Sequence, residues 1–217
     1  MSPKPADVLE QQDKKLDPRI KRTRQLLHQA LMELMAEKSF QAITVQDIAE
    51  RATVNRVTFY AHFEDKHALL EYTVREMIKQ ELYRQVPADA PFSRENVARL
   101  IQTVCEFVGE LGRRCPPPHG QLEPLMEKQI KAEVYETLHR WLEGLPRGKA
   151  KGQPTPEQIA MVTSWAIYGA AVQWSQQEPR EPVKDFVQRV LPMIMASLPP
   201  SSPDAARRSA FDGAHVG

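Results

Sequence analysis

The stretch Thr44–Lys66, TVQDIAERATVNRVTFYAHFEDK, most constrains what this chain can fold into. Thr44 and Asp47 have capping-box spacing, which predicts a helix that starts directly after the threonine. Asn55 is a good N-cap and predicts a second helix at about Arg56–Phe63. Each helix would have only about two turns, too few to be stable alone, so the pair must pack on a larger core. This pattern is typical of a helix-turn-helix.

The second helix has an outward face of unusual composition. Phe59 and Phe63 are predicted to point inward. The second helix itself, Arg56–Phe63, contains no acidic residue, and the first one after it is Glu64. The outward face combines a guanidinium, a β-branched apolar group, a hydroxyl, a phenol and an imidazole. Such a face is better matched to contact with the edge of a DNA groove than to exposure to solvent alone. The residues that carry these groups are Arg56, Val57, Thr58, Tyr60 and His62.

A third helix is predicted to begin after Asp65, whose carboxylate can cap it. Lys66 then takes the first helical position, where a cation opposes the helix dipole. That placement is more favourable beside a phosphate bound at the helix N-terminus. Lys66 is therefore a candidate phosphate ligand.

The segment Ile43–Leu70 resembles the DNA-binding signature of the tetracycline-repressor (TetR) family. In that family a TFY-x-HF core is followed by an acidic or polar cap and a lysine. This chain has Thr58-Phe59-Tyr60, His62-Phe63 and Asp65-Lys66 in that order. It departs at Thr53, where the family usually has glycine, so a β-branched residue must tolerate a strained or shifted turn.

Side-chain chemistry and the resemblance together suggest roles for individual residues in DNA binding. Arg56 is the candidate for a base contact with guanine, and Val57 or Thr58 for contact with a thymine methyl group or the backbone. Tyr60, His62 and Lys66 would hold phosphates, as the matching positions do in the family. The region of Thr44 would supply a further backbone contact.

Apolar spacing along the rest of the chain predicts an all-α protein. Residues 1–17 are predicted to be a disordered arm and residues 199–217 a disordered tail. Residues 18–66 would form a three-helix, helix-turn-helix DNA-binding domain. Residues 67–198 would form a larger helical domain for effector binding and dimerisation.

The last two predicted helices, Pro156–Gln176 and Pro182–Leu198, offer more apolar surface than one domain of this size needs. In the family the corresponding pair forms a four-helix bundle with a second subunit. We therefore expect a homodimer through these helices. The alternative is that both helices fill the core of a monomer.

The resemblance also implies a small-molecule effector inside the larger domain, in a mostly apolar pocket with a few polar anchors. The candidates come from three helices, and for each the alternative is ordinary core packing. The candidate pocket residues are Phe107, Met126, Gln129, Trp165 and Tyr168.

The charge balance and the motifs of the sequence limit the kinds of DNA binding, redox chemistry and catalysis that can be expected. Lys and Arg number 29 and Asp and Glu 28, so DNA binding must depend on a local patch. Cys105 and Cys115 form no CxxC motif, and two free thiols in a reducing cytosol are favoured over a redox-sensing pair. No catalytic motif, cofactor site, metal site or membrane span of about 18 apolar residues is present in the sequence, so we expect a cytoplasmic protein that is not an enzyme.

These observations predict a sequence-specific transcriptional regulator, a ligand-responsive homodimeric repressor that binds a palindromic operator in double-stranded DNA. The alternative is a helical protein-interaction module that kept the helix-turn-helix only as a fold element. A stable homodimer that binds duplex DNA would favour the first interpretation. A monomer indifferent to DNA would favour the second.

Overall fold

The computed structural model describes residues 17–114, 123–145 and 153–199. Over these ranges the chain forms α-helices, one 3-10 turn at Phe40–Ala42 and no strand, which confirms the all-α prediction. Most of the predicted arm and tail lies outside the described residues. The helices are α1 (Pro18–Glu37), α2 (Val45–Arg51), α3 (Arg56–His62), α4 (Lys66–Gln85), α5 (Arg94–Arg114), α6 (Glu123–Glu143), α7 (Pro156–Ser175) and α8 (Val183–Ala196).

The chain divides into two compact units, Met1–Thr73 and Val74–Gly217. The sequence placed the division between residues 66 and 67, at the start of α4. In the structure it falls inside α4, because Leu69 and Leu70 are fully buried in the first unit. The first two turns of α4 thus belong to the N-terminal unit.

In the N-terminal unit, α1 begins at a proline that needs no backbone donor. The Asp17 side chain caps it by accepting a 2.8 Å hydrogen bond from the Arg19 amide. Helical spacing then places four apolar residues on one buried face. They are Leu27, Ala30, Leu31 and Leu34.

The two short helices of this unit are stabilised by what they bury. Ile48 of α2 and Phe59 of α3 are fully buried, as are Leu27, Leu31 and Ile43. Burying one such side chain contributes roughly 1.5–3 kcal/mol. Because isolated two-turn helices are unstable in water, this shared core holds α2 and α3 in place.

The C-terminal unit is a helical bundle in which α7 packs against both α5 and α6, and α8 packs against α5 and α7. The inward face of α5 has the predicted spacing, with Val97, Leu100, Ile101 and Val104 fully buried. The Trp141 indole is anchored by a 2.9 Å hydrogen bond from Nε1 to a backbone carbonyl in the α4–α5 loop. Apolar packing therefore continues through all the helices of this unit.

Several helices end slightly earlier than the sequence predicts. Phe63 was assigned to the second helix, but its backbone is extended and α3 ends at His62. Helix α8 spans Val183–Ala196 rather than Pro182–Leu198, and Leu198 is nevertheless buried. These differences of one or two residues leave the buried faces unchanged.

Cys105 is deeply buried in α5, and Cys115 lies outside the described residues. Burial raises the pKa of the Cys105 thiol to about 12, which keeps it protonated and unreactive. Among the described residues, no three His, Cys, Asp or Glu side chains form a group that could hold a metal ion. No helix in the described ranges has the length and apolar character needed to cross a membrane.

Candidate DNA-binding surface and ligand site

The helix-turn-helix begins with the predicted capping box. The Asp47 amide donates to Thr44 Oγ1 over 3.1 Å, and the Thr44 amide donates to Asp47 Oδ2 over 2.8 Å. Lys38 Nζ binds the same carboxylate at 2.8 Å. The Lys38 hydrogen bond, followed by those from Thr44, lowers the pKa of Asp47 to about 2. The start of α2 is therefore held by both a local and a more distant contact.

The far end of α2 is held by an ion pair that local spacing does not reveal. Arg51 Nη1 and Nη2 donate to the two carboxylate oxygens of Glu37 at 2.8 and 2.9 Å. The two residues are 14 positions apart, on different helices. A bidentate pair of this kind fixes direction as well as distance. It orients α2 against α1.

The turn between α2 and α3 contains the strained residue that the sequence predicts. Thr53 has a φ of 56°, in the left-handed region that favours glycine. Immediately after the turn, Asn55 Oδ1 caps α3 by accepting a 2.7 Å hydrogen bond from the Thr58 amide. The left-handed turn and the cap together set the direction in which α3 starts.

The outward face of α3 carries both charge and apolar surface. Val57 is 78% exposed and Tyr60 50% exposed, and Arg56 is exposed beside them. The Arg56 guanidinium carbon lies 5.9 Å from the centroid of the Tyr60 ring. Phe59, on the opposite face, is fully buried and anchors the helix. The three exposed side chains form one surface without a carboxylate.

Thr58 and His62 are more enclosed than Arg56 and Val57. The Thr58 hydroxyl hydrogen-bonds Asn55 Oδ1 at 2.9 Å, so its methyl group is the part left for a ligand. Burial, and then the charge of Arg24, lower the pKa of His62. At neutral pH His62 is a neutral hydrogen-bonding group rather than a cation.

Lys66 does not have the surroundings that the sequence predicts. Its Nζ donates to the carbonyl oxygens of Phe40, Gln41 and Ile43 at 3.0, 3.1 and 2.7 Å. An ammonium has three donors, and here all three are occupied by backbone oxygens. In the structure Lys66 fastens the 3-10 turn before α2 to the start of α4. Its role as a phosphate ligand stays a prediction, because a phosphate would have to take a donor from one of these carbonyl oxygens.

In the C-terminal unit, the five candidate pocket residues do not surround one cavity. Phe107 belongs to the packed core and is 9% exposed. Gln129 is buried, and its Oε1 accepts a 3.1 Å hydrogen bond from Arg75 Nε of α4. Met126 and Tyr168 are both half-buried. Ordinary packing, the alternative stated above, describes Phe107.

Trp165 alone of those five lines a surface groove of about 450 Å³ between α6 and α7. It is 59% exposed rather than covered. Lys131 of α6 lies over its indole, with Nζ 3.2 Å from the ring centroid, and forms a 2.6 Å ion pair with Glu127. The wall is otherwise largely apolar, and includes Ala132, Tyr135 and Met161.

The outer side of α7 is also apolar and exposed. Val162 is 57% exposed, and Ala166 and Gly169 are exposed next to it at helical spacing. A Cβ atom added at Gly169 would meet nothing within 4 Å. On α8, Met193 is 66% exposed. We call the exposed apolar residues Val162, Ala166, Gly169 and Met193 the outer face.

Comparison with solved structures supports the fold. The chain superposes on a TetR-family transcriptional repressor, FadR of Thermus thermophilus, solved in complex with lauroyl-CoA, with a TM-score of 0.53 and 19% identity. The match covers 83% of this chain and 97% of that one. FadR of Bacillus subtilis, solved with stearoyl-CoA, gives a TM-score of 0.51 at 17% identity over 81% of this chain and 99% of FadR.

Sequence comparison identifies relatives that are transcriptional regulators rather than enzymes. The uncharacterized HTH-type transcriptional regulator YdeS of Bacillus subtilis is 39% identical over 170 residues, which cover 73% of this chain and 80% of YdeS. The HTH-type transcriptional repressor DhaR of Mycobacterium sp. strain GP1 is 24% identical over 86% of this chain and 97% of DhaR. A match to YxbF of Bacillus subtilis, 30% identical over 82 residues, spans only 22% of that protein.

The family model for bacterial regulatory proteins of the tetR family matches residues 27–73. That range begins in α1, contains α2, the strained turn and α3, and ends in α4. It coincides with the capped and buried elements of the N-terminal unit. Together with the extended similarity to YdeS, this match shows that the chain belongs to the TetR family of helix-turn-helix transcriptional regulators.

Proposed function

We propose that this protein regulates transcription by placing α3 in the major groove of a specific operator. The observation that carries the proposal is the composition of the exposed face of α3. Val57, a β-branched apolar residue, is 78% exposed beside Arg56 and Tyr60. Such a surface is costly to leave in water, but it matches base edges and methyl groups in a DNA groove.

The proposed contacts follow from the donors and apolar groups that remain available. Arg56 has the fork geometry to bind guanine O6 and N7, and Val57 or the Thr58 methyl can contact a thymine methyl. The Tyr60 hydroxyl, the neutral His62 ring and the Thr44 hydroxyl can each donate one hydrogen bond to phosphate. Lys66 would join this set only if a phosphate took a donor from one of the backbone carbonyl oxygens that it binds.

We further propose that the protein acts as a homodimer through the outer face of α7 and α8. Large exposed apolar residues on adjacent helices favour burial by a second copy. Gly169 would allow close helix approach, since nothing occupies the space above it. A two-fold dimer requires a roughly palindromic operator, with half-sites about 34–36 Å apart or a multiple of that distance.

The C-terminal unit is proposed to bind a small effector that shifts the population between DNA-competent and incompetent states. An acyl-CoA is one class to test, since two FadR structures of the same fold were solved with acyl-CoA ligands. We propose repression as the action, by analogy with the repressor DhaR. Displacing or moving the α3 helices of the dimer would then release the operator.

The decisive experiment is selection from a random duplex library by the purified protein at about 150 mM salt, where non-specific phosphate binding is suppressed. Recovery of one palindrome, together with a dimeric mass in solution, would support the proposal. A protein that stays monomeric and selects no motif would contradict it and favour the protein-interaction module.

A folded dimer that selects no motif needs one more step, because a co-purified ligand could hold it off DNA. The selection is then repeated after the protein has been unfolded, dialysed and refolded. A palindrome recovered only after this treatment would support effector control. Continued absence of a motif would reject sequence-specific binding.

A further inference from the structure

The groove between α6 and α7 holds an ammonium in unusual surroundings. The Lys131 side chain is only 14% exposed, and its Nζ lies 3.2 Å from the centroid of the Trp165 ring. The Tyr168 ring centroid is 5.9 Å from the same atom. Glu127, one helical turn earlier, supplies a carboxylate that pairs with it, at 2.6 Å. The cation is thus fixed in a largely dehydrated position against an aromatic face.

The charged side chains that line the groove favour an anion over a second cation. Lys131 is the cation fixed against the aromatic wall, and Glu127 is its ion-pair partner. A second cation entering the groove would have to displace Lys131 from both Trp165 and Glu127. An anion could instead approach the Lys131 ammonium, and the partial dehydration of that ammonium strengthens the attraction.

The rest of the wall can accept an apolar body. Trp165 remains 59% exposed despite the contact with Lys131, and Met161 is 50% exposed. Both side chains line the groove. The groove volume of about 450 Å³ lies within the range of roughly 300–1,000 Å³ for small-molecule sites.

We propose that this groove binds an amphipathic organic anion, whose carboxylate or similar head group meets Lys131 and whose apolar body lies on Trp165 and Met161. This inference deepens the proposed function, because it names the ligand class that the C-terminal unit would bind. Met161 and Trp165 are neighbours of Val162 and Ala166 on the same helix. An occupant of the groove therefore lies next to the proposed dimer surface.

Octanoate, octylammonium and 1-octanol are suitable ligands for the test, because they share an alkyl chain and differ in charge. Trp165 is the only exposed tryptophan of the three, since Trp141 and Trp174 are 5% and 7% exposed. Quenching by acrylamide therefore reports on Trp165. We expect octanoate to bind saturably and to protect Trp165 from quenching, with an affinity at least tenfold above that of octanol. Octylammonium should give no saturable protection.

Variants identify the head-group contact. Lys131→Met keeps the length of the side chain and should weaken octanoate binding at least tenfold in isothermal titration, whereas Lys131→Arg should retain most of the affinity. Lys184→Met, which removes an exposed lysine of α8, is the matched control and should bind as the wild type does. Circular dichroism establishes that each variant is folded.

Two results would overturn the proposal. One is equal affinity for all three alkyl compounds, which would mean a purely apolar surface such as a subunit contact. The other is unchanged octanoate binding by folded Lys131→Met. Failure of the proposed function is a separate result, because operator selection is measured without octanoate. A protein that selects no operator can still bind octanoate in the groove.

Discussion

Lys66 Nζ donates a 2.7 Å hydrogen bond to the carbonyl oxygen of Ile43, although 23 residues separate the two. The ammonium also binds the carbonyls of Phe40 and Gln41 and lies 4.8 Å from the centroid of the Phe40 ring. These carbonyls belong to the segment that leads directly into the capping box of α2. One lysine therefore fixes the entry to the helix-turn-helix relative to the start of α4.

Replacing Lys66 by methionine should destabilise the N-terminal unit. The substitution removes three charge-assisted hydrogen bonds and takes this donor from the partly buried carbonyl group of Ile43, at an expected cost of about 1.5–3 kcal/mol. Urea unfolding followed by circular dichroism measures the loss. Lys184→Met on α8 is the control and should leave the midpoint unchanged.

The same Lys66 variant distinguishes the structural role from phosphate binding. A lost phosphate contact lowers the slope of log affinity against log salt by about one. We expect the slope to stay unchanged at a temperature where the variant is folded. A reduced slope with unchanged unfolding free energy would support the phosphate role.

Thr53 offers a stabilising substitution. Its φ of 56° costs a β-branched residue roughly 1–2 kcal/mol, and glycine avoids most of that cost. Glycine loses more backbone entropy on folding, so the net gain expected for Thr53→Gly is about 1 kcal/mol. Thermal unfolding provides the test. Thr53→Val, which keeps the β-branch, should give no gain, and equal stability of both variants would contradict a strained turn.

The capping box, the Asn55 cap and the buried face of α1 could be predicted from the sequence because each depends on residues within one or two helical turns. The Lys66 and Arg51 contacts could not, because they join residues 14 to 26 positions apart whose proximity only the packed fold creates. The surface position of Trp165, which is 59% exposed, could not be predicted for a related reason. Apolar composition shows that a helix needs covering, but it does not show which of its sides the chain itself leaves open.

Arg56 should control base preference. Arg56→Ala is expected to relax selection at one position of each half-site and to cost about 1–3 kcal/mol in binding the preferred operator. Arg22→Ala, which removes an exposed cation of α1, is the comparison and should change affinity similarly for all sequences, if at all. Competition binding on single-base operator variants distinguishes a loss of base preference from a uniform loss of affinity. Undiminished selectivity in Arg56→Ala would remove this residue from base contact.

Val162 tests the outer face. Val162→Asp places a charge in the centre of the proposed subunit contact, where burial without a partner is strongly unfavourable. We expect the variant to be a folded monomer with at least tenfold weaker operator binding. Gln80→Asp, at an exposed position of α4, is the control and should stay dimeric. Sedimentation velocity gives the mass, and a dimeric Val162→Asp would place the interface elsewhere.

Glu133 of α6 is a carboxyl group whose titration the fold shifts to near neutral pH. Burial raises its pKa from the ordinary 4.5 to about 7, against the opposing influence of Lys79 and Arg75 on α4, while Glu136 and Glu76 add to the increase. The carboxyl group ionises more easily in the unfolded chain than in the folded protein. The contribution of Glu133 to the free energy of unfolding is therefore fully present below about pH 4.5, and it is lost as the pH rises through about 7.

Glu133→Gln keeps the shape of the side chain and removes the titration. The variant and the wild type should have similar stability near pH 4.5, and the variant should become progressively more stable up to about pH 7. Above that pH the difference should level off at roughly 2 kcal/mol, a value reduced for partial exposure of the group. Urea unfolding at several pH values measures it, with Glu106→Gln on α5 as an exposed control that should show no such trend. A constant difference at every pH would mean that Glu133 is ionised in the folded protein, with Arg75 and Lys79 outweighing its burial.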